Sequence, residues 1–312
     1  MATRLETDSM GEGQVPEDAL FGAQTQRALN HAGIVAGRGM PTPFLHALAL
    51  IKAAAARANA EVGALSPAVA TAIVDAAEAV AAGQYADAFP VPVFQTGSGT
   101  SSNMNMNEVL ASLATRSLGE RVHPNDEVNC SQSSNDVVPS ATALAAAREI
   151  RAALAPAIEG LEAVLLRRGA ELQAVLKTGR THLMDAMPVT LGFELCTWAA
   201  QLQDCRQRLA DLQPRLCALP IGGSAVGTGV NVPSGYVRAL LATLGERVDL
   251  PLTAAVQPAT RMAGQETAAE CSACLRSIAL VLIKMSNDLR WMNSGPLAGL
   301  GEVQLEALQP GS

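Results

Sequence analysis

Apolar residues recur at alternating spacings of four and three along two long segments of the chain, 191–216 and 271–292. A seam with this period is typical of helices that pack nearly parallel in bundles and coiled coils. The pattern therefore predicts two long bundle helices. The seam positions are Leu191, Leu195, Trp198, Leu202, Cys205, Leu209, Leu212 and Leu216 in the first segment, and Cys271, Leu275, Ile278, Leu282, Met285, Leu289 and Met292 in the second.

A third, weaker stripe precedes these two seams. Proline removes a helical hydrogen bond and crowds the preceding turn, so we expect the helix that carries this stripe to bend near Pro156. The stripe consists of Ile150, Leu154, Ala157, Leu161 and Val164.

The last predicted helix is apolar on more than one side, because Leu280, Val281 and Ile283 lie off its seam. Such a helix needs several covering neighbours, and the three bundle helices of this chain offer few. We therefore expect its partners in other subunits, in further C-terminal helices, or in both.

Two shorter helices are predicted in the first third of the chain. One covers about 43–62. The other begins at Ser66-Pro67, an N-cap followed by proline at the first helical position, and ends at Gly83. The chain is rich in alanine, and only 3% of its residues are aromatic. This composition favours a mainly α-helical protein over a sheet protein.

The charge balance changes the picture of possible partners. The chain carries a formal net charge of -7 and has no basic amphipathic segment, which argues against nucleic acid or an anionic membrane. Its longest apolar run, 278–283, is far shorter than the ~20 residues that cross a bilayer. The N-terminal segment has no apolar core like that of a signal peptide. We expect a cytoplasmic protein that does not bind a membrane.

One cysteine pair has a spacing found in metal sites. Cys271 and Cys274 form a C-x-x-C, but no histidine or second pair lies nearby to complete a metal site. Both residues lie inside a helical pattern, so we interpret them as small buried side chains on adjacent turns. We expect no metal.

Four stretches are too polar for ordinary linkers: 95–108, 123–136, 179–188 and 221–229. Their hydroxyls, amides and glycine-exposed N–H groups are neutral donors, which suit carboxylate oxygens. Each of the first three runs directly into a predicted helix, whose N-terminal N–H groups favour an anion. Together the clusters indicate a small carboxylate substrate and acid/base chemistry without a cofactor.

Each cluster taken alone has a simpler interpretation. Runs of Ser, Asn and Gly cap helices and form turns. A lone histidine such as His182 is often a hydrogen-bonded structural group, and His123 before Pro-Asn-Asp fits a turn. The run 97–102, Gly-Ser-Gly-Thr-Ser-Ser, lacks the Gly-Lys-Ser/Thr of a phosphate loop, which disfavours a nucleotide. It is the combination of four clusters that favours a carboxylate site.

The same stretches resemble class II fumarate hydratases of the fumarase/aspartase superfamily. The resemblance extends from about residue 8 to the end of the chain, and its motifs are long and contiguous. They read QTGSGTSSNMNMNEVLA, HPNDEVNCSQSSNDVVPSA, GRTHLMDAMPVTLG, IGGSAVGTG and KMSNDLRWMNSGPLAGLGE. The resemblance implies a lyase of the tricarboxylic acid cycle that interconverts fumarate and (S)-malate by reversible trans addition of water, without a cofactor.

The resemblance also implies roles for individual residues. His182 would be the acid/base histidine, and Ser312 would be the base that removes the C3 proton of malate. The implied substrate-binding residues are Ser98, Gly99, Thr100, Ser133, Ser134, Asn135 and Thr181. A second dicarboxylate site beside the active one would consist of His123, Pro124, Asn125 and Asp126.

The implied fold is a long-helix bundle with a smaller helical N-terminal domain, which we place at 1–132, followed by an incomplete central bundle domain at 133–312. The family works as a homotetramer whose active sites each draw residues from three subunits. In the family, the stretch Pro-Gly-Ser at 310–312 continues as the signature Gly-Ser-Ser-x-Met-Pro-x-Lys-x-Asn. We therefore expect a chain truncated at the start of this signature, without the rest of the bundle and the C-terminal domain.

Two alternatives remain at this point. Aspartate ammonia-lyases resemble the chain throughout, but they usually lack a histidine before Pro-Asn-Asp and carry Ser-Thr-Asn instead of Ser133-Ser134-Asn135. His123 and the double serine therefore favour hydration over deamination. Alternatively, the 312-residue chain is a catalytically inert helical module or scaffold, which its uncovered bundle faces would fit.

Overall fold

The structure, a computed structural model, describes residues 2–31 and 39–310. The described part is mainly α-helical, as predicted, with three small two-stranded sheets. In chain order the elements are β1 (Thr3–Asp8), β2 (Gly11–Pro16), α1 (Ala23–His31), α2 (Thr42–Glu61), α3 (Pro67–Ala81), α4 (Thr100–Leu118), α5 (Ser134–Glu149), α6 (Ala155–Glu171), β3 (Leu176–Thr181), β4 (Met184–Thr190), α7 (Leu191–Leu216), β5 (Ala218–Leu219), α8 (Tyr236–Val248), β6 (Thr253–Ala254), α9 (Pro258–Met262) and α10 (Glu266–Met292).

The described residues form two compact units. Unit 1 contains Met1–Glu149 and Pro214–Ala268, and unit 2 contains Ile150–Gln213 and Ala269–Ser312. The chain thus leaves unit 1 after α5 and returns to it at the end of α7. These units alternate along the chain, whereas the predicted domains 1–132 and 133–312 are consecutive, and that division stays a prediction.

Helix α2 forms the centre of unit 1. It packs against α3, α5 and α8, and residues 47–56 are buried on every side of the helix. A helix that is covered all round must be apolar all round, and the run of alanine and leucine in α2 meets this condition. The exception is Lys52, which is buried in the middle of the run.

The two helices predicted in the first third of the chain are confirmed. Helix α2 begins at Thr42 and ends at Glu61. Helix α3 begins after Ser66, whose Oγ accepts the N–H of Val69 at 3.3 Å. This bond satisfies one of the donors that a helix N-terminus leaves without a partner.

Helix α7, which belongs to unit 2 up to Gln213, confirms the first seam. All eight of its seam side chains are at most 9% exposed. Helix α10 follows the second seam only in part, because Cys271, Ile278 and Met292 are buried while Leu275 is 43% exposed. The described residues of this chain therefore cover part of the α10 seam incompletely.

The third stripe is wrong in phase after Leu154. A π-helical turn, Ile150–Leu154, precedes α6, and Ala157 and Val164 are exposed. The residues buried in α6 are instead Ile158, Glu162, Leu165 and Gly169. A π turn closes over one residue more than an α turn, so it displaces the buried face of the following helix by one position.

No non-helical residue separates α5, the π-helical turn Ile150–Leu154 and α6, and the change of helix type comes immediately before Pro156. Proline has no N–H to donate to the preceding turn, and a local π turn accommodates that loss. The bend expected near Pro156 stays a prediction.

Candidate active site

The first polar cluster forms a tight loop that leads into the N-terminus of α4. Gly99 precedes the first helical residue with a φ of 67°, and a Cβ there would lie 2.7 Å from Cγ1 of Val138. Glycine alone tolerates both this φ and this close approach. The hydroxyls of Ser98 and Thr100 lie 3.0 Å apart, and both residues are exposed. The loop therefore presents two hydroxyls near the positive end of a helix.

The second cluster places three polar residues at the start of α5. Ser133 Oγ accepts the N–H of Asn135 at 3.2 Å, and Ser134 Oγ accepts a bond from Asn103 Nδ2 at 2.9 Å. Asn135 is exposed, and its Nδ2 donates to the carbonyl of Ala225 in the fourth cluster at 2.8 Å. The second and fourth clusters are thus joined directly.

A buried carboxylate strengthens this junction. Asp136 Oδ1 accepts the N–H of Ser133 at 3.0 Å, while Oδ2 accepts those of Gly222 at 3.0 Å and Ser224 at 2.9 Å. Burial raises the pKa of Asp136 to about 6, although the three N–H bonds act in the opposite direction. At neutral pH the carboxylate is ionised, and it fixes two loops with charge-assisted bonds.

A buried lysine holds the segment that leads to these residues. Lys52 Nζ donates to Asn129 Oδ1 at 2.8 Å and to Gln132 Oε1 at 3.0 Å. The same Asn129 oxygen accepts bonds from Asn103 Nδ2 and Asn107 Nδ2, each at 3.2 Å. Burial lowers the pKa of Lys52 to about 7. One amide oxygen with three donors leaves little freedom to the chain just before α5.

These bonds assemble one cavity of 590 Å³ within unit 1. Three of the four polar clusters contribute to its wall: Ser98 from the first, Asn135 from the second, and Ala225 from the fourth. The other lining residues are Gly97, Val138, Pro139, Thr142, Val226, Ala259, Met262, Ala263 and Gln265. Thr100, Ser133 and Ser134 adjoin this lining in the chain without forming part of it. The wall offers neutral hydrogen-bonding groups and small apolar side chains.

The third cluster forms a β-hairpin, whose second strand leads directly into α7 at Leu191. Strands β3 and β4 pair antiparallel, and His182 and Leu183 close the turn between them with φ of 50° and 62°. Positive φ at both central positions is the mark of a type I′ turn, whose twist matches that of the flanking strands. Thr181 ends β3, and both Thr181 and His182 are exposed in unit 2.

The second predicted site adjoins a separate cavity of 340 Å³ in unit 1. His123 and Pro124 line it, whereas Asn125 and Asp126 are exposed and lie outside its lining. His123 Nδ1 accepts the N–H of Asp126 at 3.1 Å and so caps a π-helical turn. The charged residues that line this cavity are Arg4, Glu6, Glu17, Glu108, Arg116 and Arg121.

Some residues that shape the site were not singled out from the sequence. Lys52 could have been recognised from the sequence, because a lysine at a buried position of an alanine-rich helix requires a polar partner. Asp136 gave none, since its bonds to Gly222 and Ser224 join positions 86 and 88 residues apart. Ser312, the predicted base, lies outside the described residues.

Neither a metal centre nor a membrane span is found in the part of the chain that the structure describes. Among residues 2–31 and 39–310, no group of three or more His, Cys, Asp and Glu side chains is arranged to hold a metal ion. No helix within these ranges combines the length and apolar character that crossing a bilayer requires. Cys271 is buried and Cys274 half-buried in α10.

Known proteins share the sequence and the fold of this chain. Residues 11–312 match a protein family described as lyase, to which the chain belongs. A class II fumarate hydratase of Xylella fastidiosa (strain 9a5c) is 50% identical over 309 residues, which are 99% of this chain and 65% of that protein. Fumarate hydratase class II 2 of Pseudomonas aeruginosa is 49% identical over 310 residues, 99% of this chain and 68% of that protein.

Solved structures agree with these relatives. The crystal structure of recombinant class II fumarase from Schistosoma mansoni superposes with a TM-score of 0.97 at 37% identity, covering 100% of this chain and 70% of that one. A fumarate lyase:delta crystallin from Brucella melitensis bound to cobalt gives a TM-score of 0.93 at 39% identity, covering 100% of this chain and 69% of that one. The chain belongs to the class II fumarate hydratase family. It spans 65% of the length of its Xylella relative.

Proposed function

We propose that the protein is a hydro-lyase that interconverts fumarate and (S)-malate by reversible trans addition of water. The observation that supports this proposal is the meeting of three donor-rich clusters at one cavity of 590 Å³. Hydroxyls, amides and helix N-termini bind carboxylates without a fixed cation, and a cavity of this volume has room for a four-carbon dicarboxylate.

The reaction makes clear demands on such a cavity. In the direction from malate to fumarate, a base takes the proton from C3, and the electron pair of that bond moves onto the adjacent carboxylate. The bond between C2 and the hydroxyl oxygen then breaks, and a general acid protonates the leaving hydroxide to give water. The intermediate carries extra charge on one carboxylate, so preorganised donors lower the barrier by holding that charge.

We assign these tasks to residues of this chain. Ser312 removes the C3 proton, and His182 serves as the acid/base histidine. The substrate carboxylates are held by Ser98, Gly99, Thr100, Ser133, Ser134, Asn135 and Thr181. A positioned acid or base contributes ~10²–10⁴-fold to a rate, and removal of one donor to the developing oxyanion costs ~10²–10³-fold. A single donor therefore contributes to catalysis on a scale similar to that of a single proton-transfer group.

The remaining assignments extend the same proposal. His123 to Asp126 form a second dicarboxylate site. The working protein is a cytoplasmic homotetramer, and residues of three subunits complete each active site. The exposed apolar face of α10 supports this assembly, since Leu280 and Ile283 on it are 62% and 57% exposed.

The activity test uses the full-length protein and the change His182→Asn. With (S)-malate as substrate, we expect absorbance in the fumarate band to rise, and we expect His182→Asn to lower kcat by about 10²–10⁴-fold through loss of the acid/base group. Stopped or continuous absorbance assays at saturating malate measure this change.

His31 provides the matched control, because it is exposed at the end of α1 and has no role in the proposed chemistry. His31→Asn should retain the activity of the unaltered protein. Turnover of aspartate in place of malate, or equal activity of the two variants, would contradict the proposal.

A further inference from the structure

Four charged side chains form an ion-pair network along strand β3 of the β3–β4 hairpin. Arg180 Nη1 and Nη2 donate to Glu302 Oε1 and Oε2 at 2.7 and 2.5 Å. Lys177 Nζ lies 3.2 Å from Glu302 Oε2 and 2.8 Å from Glu194 Oε2. Two cations and two anions meet here, so the network as a whole is neutral.

The network is well shielded from solvent. The side chains of Lys177, Arg180 and Glu302 are only 7%, 18% and 17% exposed. The Arg180 fork lowers the pKa of Glu302, and Glu302 in turn raises the pKa of Arg180. A two-bond guanidinium–carboxylate pair fixes direction as well as distance, which an exposed single-bond ion pair does not.

Backbone hydrogen bonds to the C-terminal end of α10 fix the position of Glu302. Its N–H donates to the carbonyl of Met292 at 2.8 Å, and the N–H of Val303 donates to the same carbonyl at 3.2 Å. Nearby, the N–H of Leu305 donates to Asn293 Oδ1 at 2.8 Å. The carboxylate therefore sits on a fixed stretch of backbone rather than on a loose loop.

The turn of the hairpin has an unfavourable backbone conformation that surrounding contacts must stabilise. His182 and Leu183 both have positive φ, although neither is the glycine or asparagine that this turn type favours. Conformations of this kind persist where the surroundings hold them in place. Arg180 lies on β3, two residues before His182. The two hydrogen bonds from its guanidinium to Glu302 therefore fix the strand immediately beside the strained turn.

We propose that Glu302 is a positioning residue. Its carboxylate forms ion pairs with Arg180 and Lys177, and these keep the hairpin that presents Thr181 and His182 in one orientation. For its catalytic consequence, this inference rests on the fumarate hydratase activity proposed above. Glu302 acts through the hairpin and not on the substrate. Loss of these ion pairs should impair proton transfer by His182 more than substrate binding, because Thr181 is only one of the seven residues assigned to bind the carboxylates.

The test is Glu302→Gln in the full-length protein. Glutamine keeps the size of the side chain but removes its charge and one of its two acceptors. We expect kcat for malate to fall about 10- to 100-fold, as misplacement by about 1 Å does, while KM changes less than about threefold. Hydrogen exchange followed by mass spectrometry should show the amides of residues 180–185 exchanging at least about tenfold faster.

Glu306→Gln is the matched control. It is the same substitution four residues later in the same segment, at an exposed side chain. We expect this variant to keep both kcat and the exchange rate of the hairpin. Arg180→Lys is the second test variant, because it keeps the positive charge and loses the fork; it should show intermediate effects on both measurements.

The two measurements separate this inference from the proposed function. If the unaltered protein does not act on malate and Glu302→Gln still loosens residues 180–185 selectively, the proposed function fails and the positioning role stands. If the unaltered protein is active and Glu302→Gln behaves like Glu306→Gln in both measurements, the positioning role is wrong. Should Glu302→Gln fail to fold, Arg180→Lys decides, and normal hairpin exchange in that variant would overturn the inference.

Discussion

Lys52 and Asp136 are ionisable side chains buried in the core of unit 1; Asp136 ends the polar segment 129–136, and Lys52 bonds to Asn129 and Gln132 within it. Burying a charge is unfavourable unless hydrogen bonds replace the lost water. Here both groups have such bonds: two amide oxygens accept from Lys52, and three backbone N–H groups donate to Asp136. We interpret the pair as a device that fixes the start of α5 at the expense of some stability.

The lysine makes stability depend on pH in a definite direction. The folded pKa of Lys52 is about 7, below its ordinary value of 10.5, so the unfolded chain binds more protons between these limits. The free energy of unfolding should therefore rise with pH from about 7 upward, by up to about 1.4 kcal/mol per pH unit from this group. Lys52→Met should remove this rise, as measured by urea unfolding at pH 7.5 and pH 9.

Asp136 does not interfere with that measurement. Its folded pKa of about 6 lies above its ordinary 3.8, so its contribution falls as pH rises between those two values and is constant above them. Lys284→Met serves as the control, because the Lys284 side chain is largely exposed. An equal pH slope in the Lys52 variant and the unaltered protein would show that the buried ammonium has no such effect.

At the scale of helices and strands, regular patterns were predictable and irregular ones were not. The seam of α7 keeps one period from Leu191 to Leu216, and each of its positions is buried as predicted. The stripe through α6 fails because the π-helical turn Ile150–Leu154 displaces the buried face by one residue. Such a turn leaves no mark in the spacing of apolar residues, so the sequence alone could not show it.

The hairpins show a second limit of the sequence. A two-residue hairpin turn is recognised by Asn-Gly or a similar pair, whereas β3–β4 turns at His182-Leu183. The polar clusters themselves were recognised, and three of them do meet at one cavity. What could not be predicted is the bonding that brings them together, because Asp136 and Gly222 lie 86 residues apart.

Glu108 shows how one element fixes another. From within α4, its carboxylate accepts the N–H groups of Gly22, Gln24 and Thr25 at 2.9, 2.9 and 3.1 Å, and so caps the N-terminus of α1. Glu108→Gln removes the charge and turns a donor toward these N–H groups. We expect the free energy of unfolding to fall by about 2 kcal/mol, as for hydrogen bonds to a charged group, measured by urea denaturation at pH 7.

Glu120→Gln is the control for this change, since Glu120 is exposed just beyond the end of α4. A surface substitution of this kind should alter stability by no more than about 0.5 kcal/mol. If the Glu108 and Glu120 variants unfold at the same urea concentration, the cap contributes little, and other contacts hold α1.

At the scale of the whole molecule, unit 2 leaves several large apolar side chains exposed. Leu280, Ile283 and Trp291 on α10 are 62%, 57% and 55% exposed. Apolar side chains grouped on the exposed face of a helix mark interaction sites. The expectation that α10 needs partners beyond this chain agrees with this exposure, and the proposed tetramer would supply them.

Self-association through α10 can be tested directly. Changing Leu280→Glu and Ile283→Glu together places two charges on this face, and burying them in an interface is strongly unfavourable. We expect the double variant to shift toward the monomer in sedimentation velocity or light scattering at equal protein concentration.

Ala68→Glu with Thr71→Glu is the matched control. It introduces the same two charges at the same spacing on an exposed face of α3. This variant should keep the assembly state of the unaltered protein. An unchanged assembly state in the Leu280 and Ile283 variant would place the contact elsewhere.

The long sequence separation within unit 1 has a consequence for how a ribosome delivers this protein. Asp136 emerges from the exit tunnel long before Gly222 and Ser224, whose N–H groups its carboxylate needs. In the interval the nascent chain has already made α6 and most of α7, which belong to unit 2. The core of unit 1 therefore stays incomplete until residues 214–268 have been synthesised. During that time its exposed apolar surface is a target for chaperones.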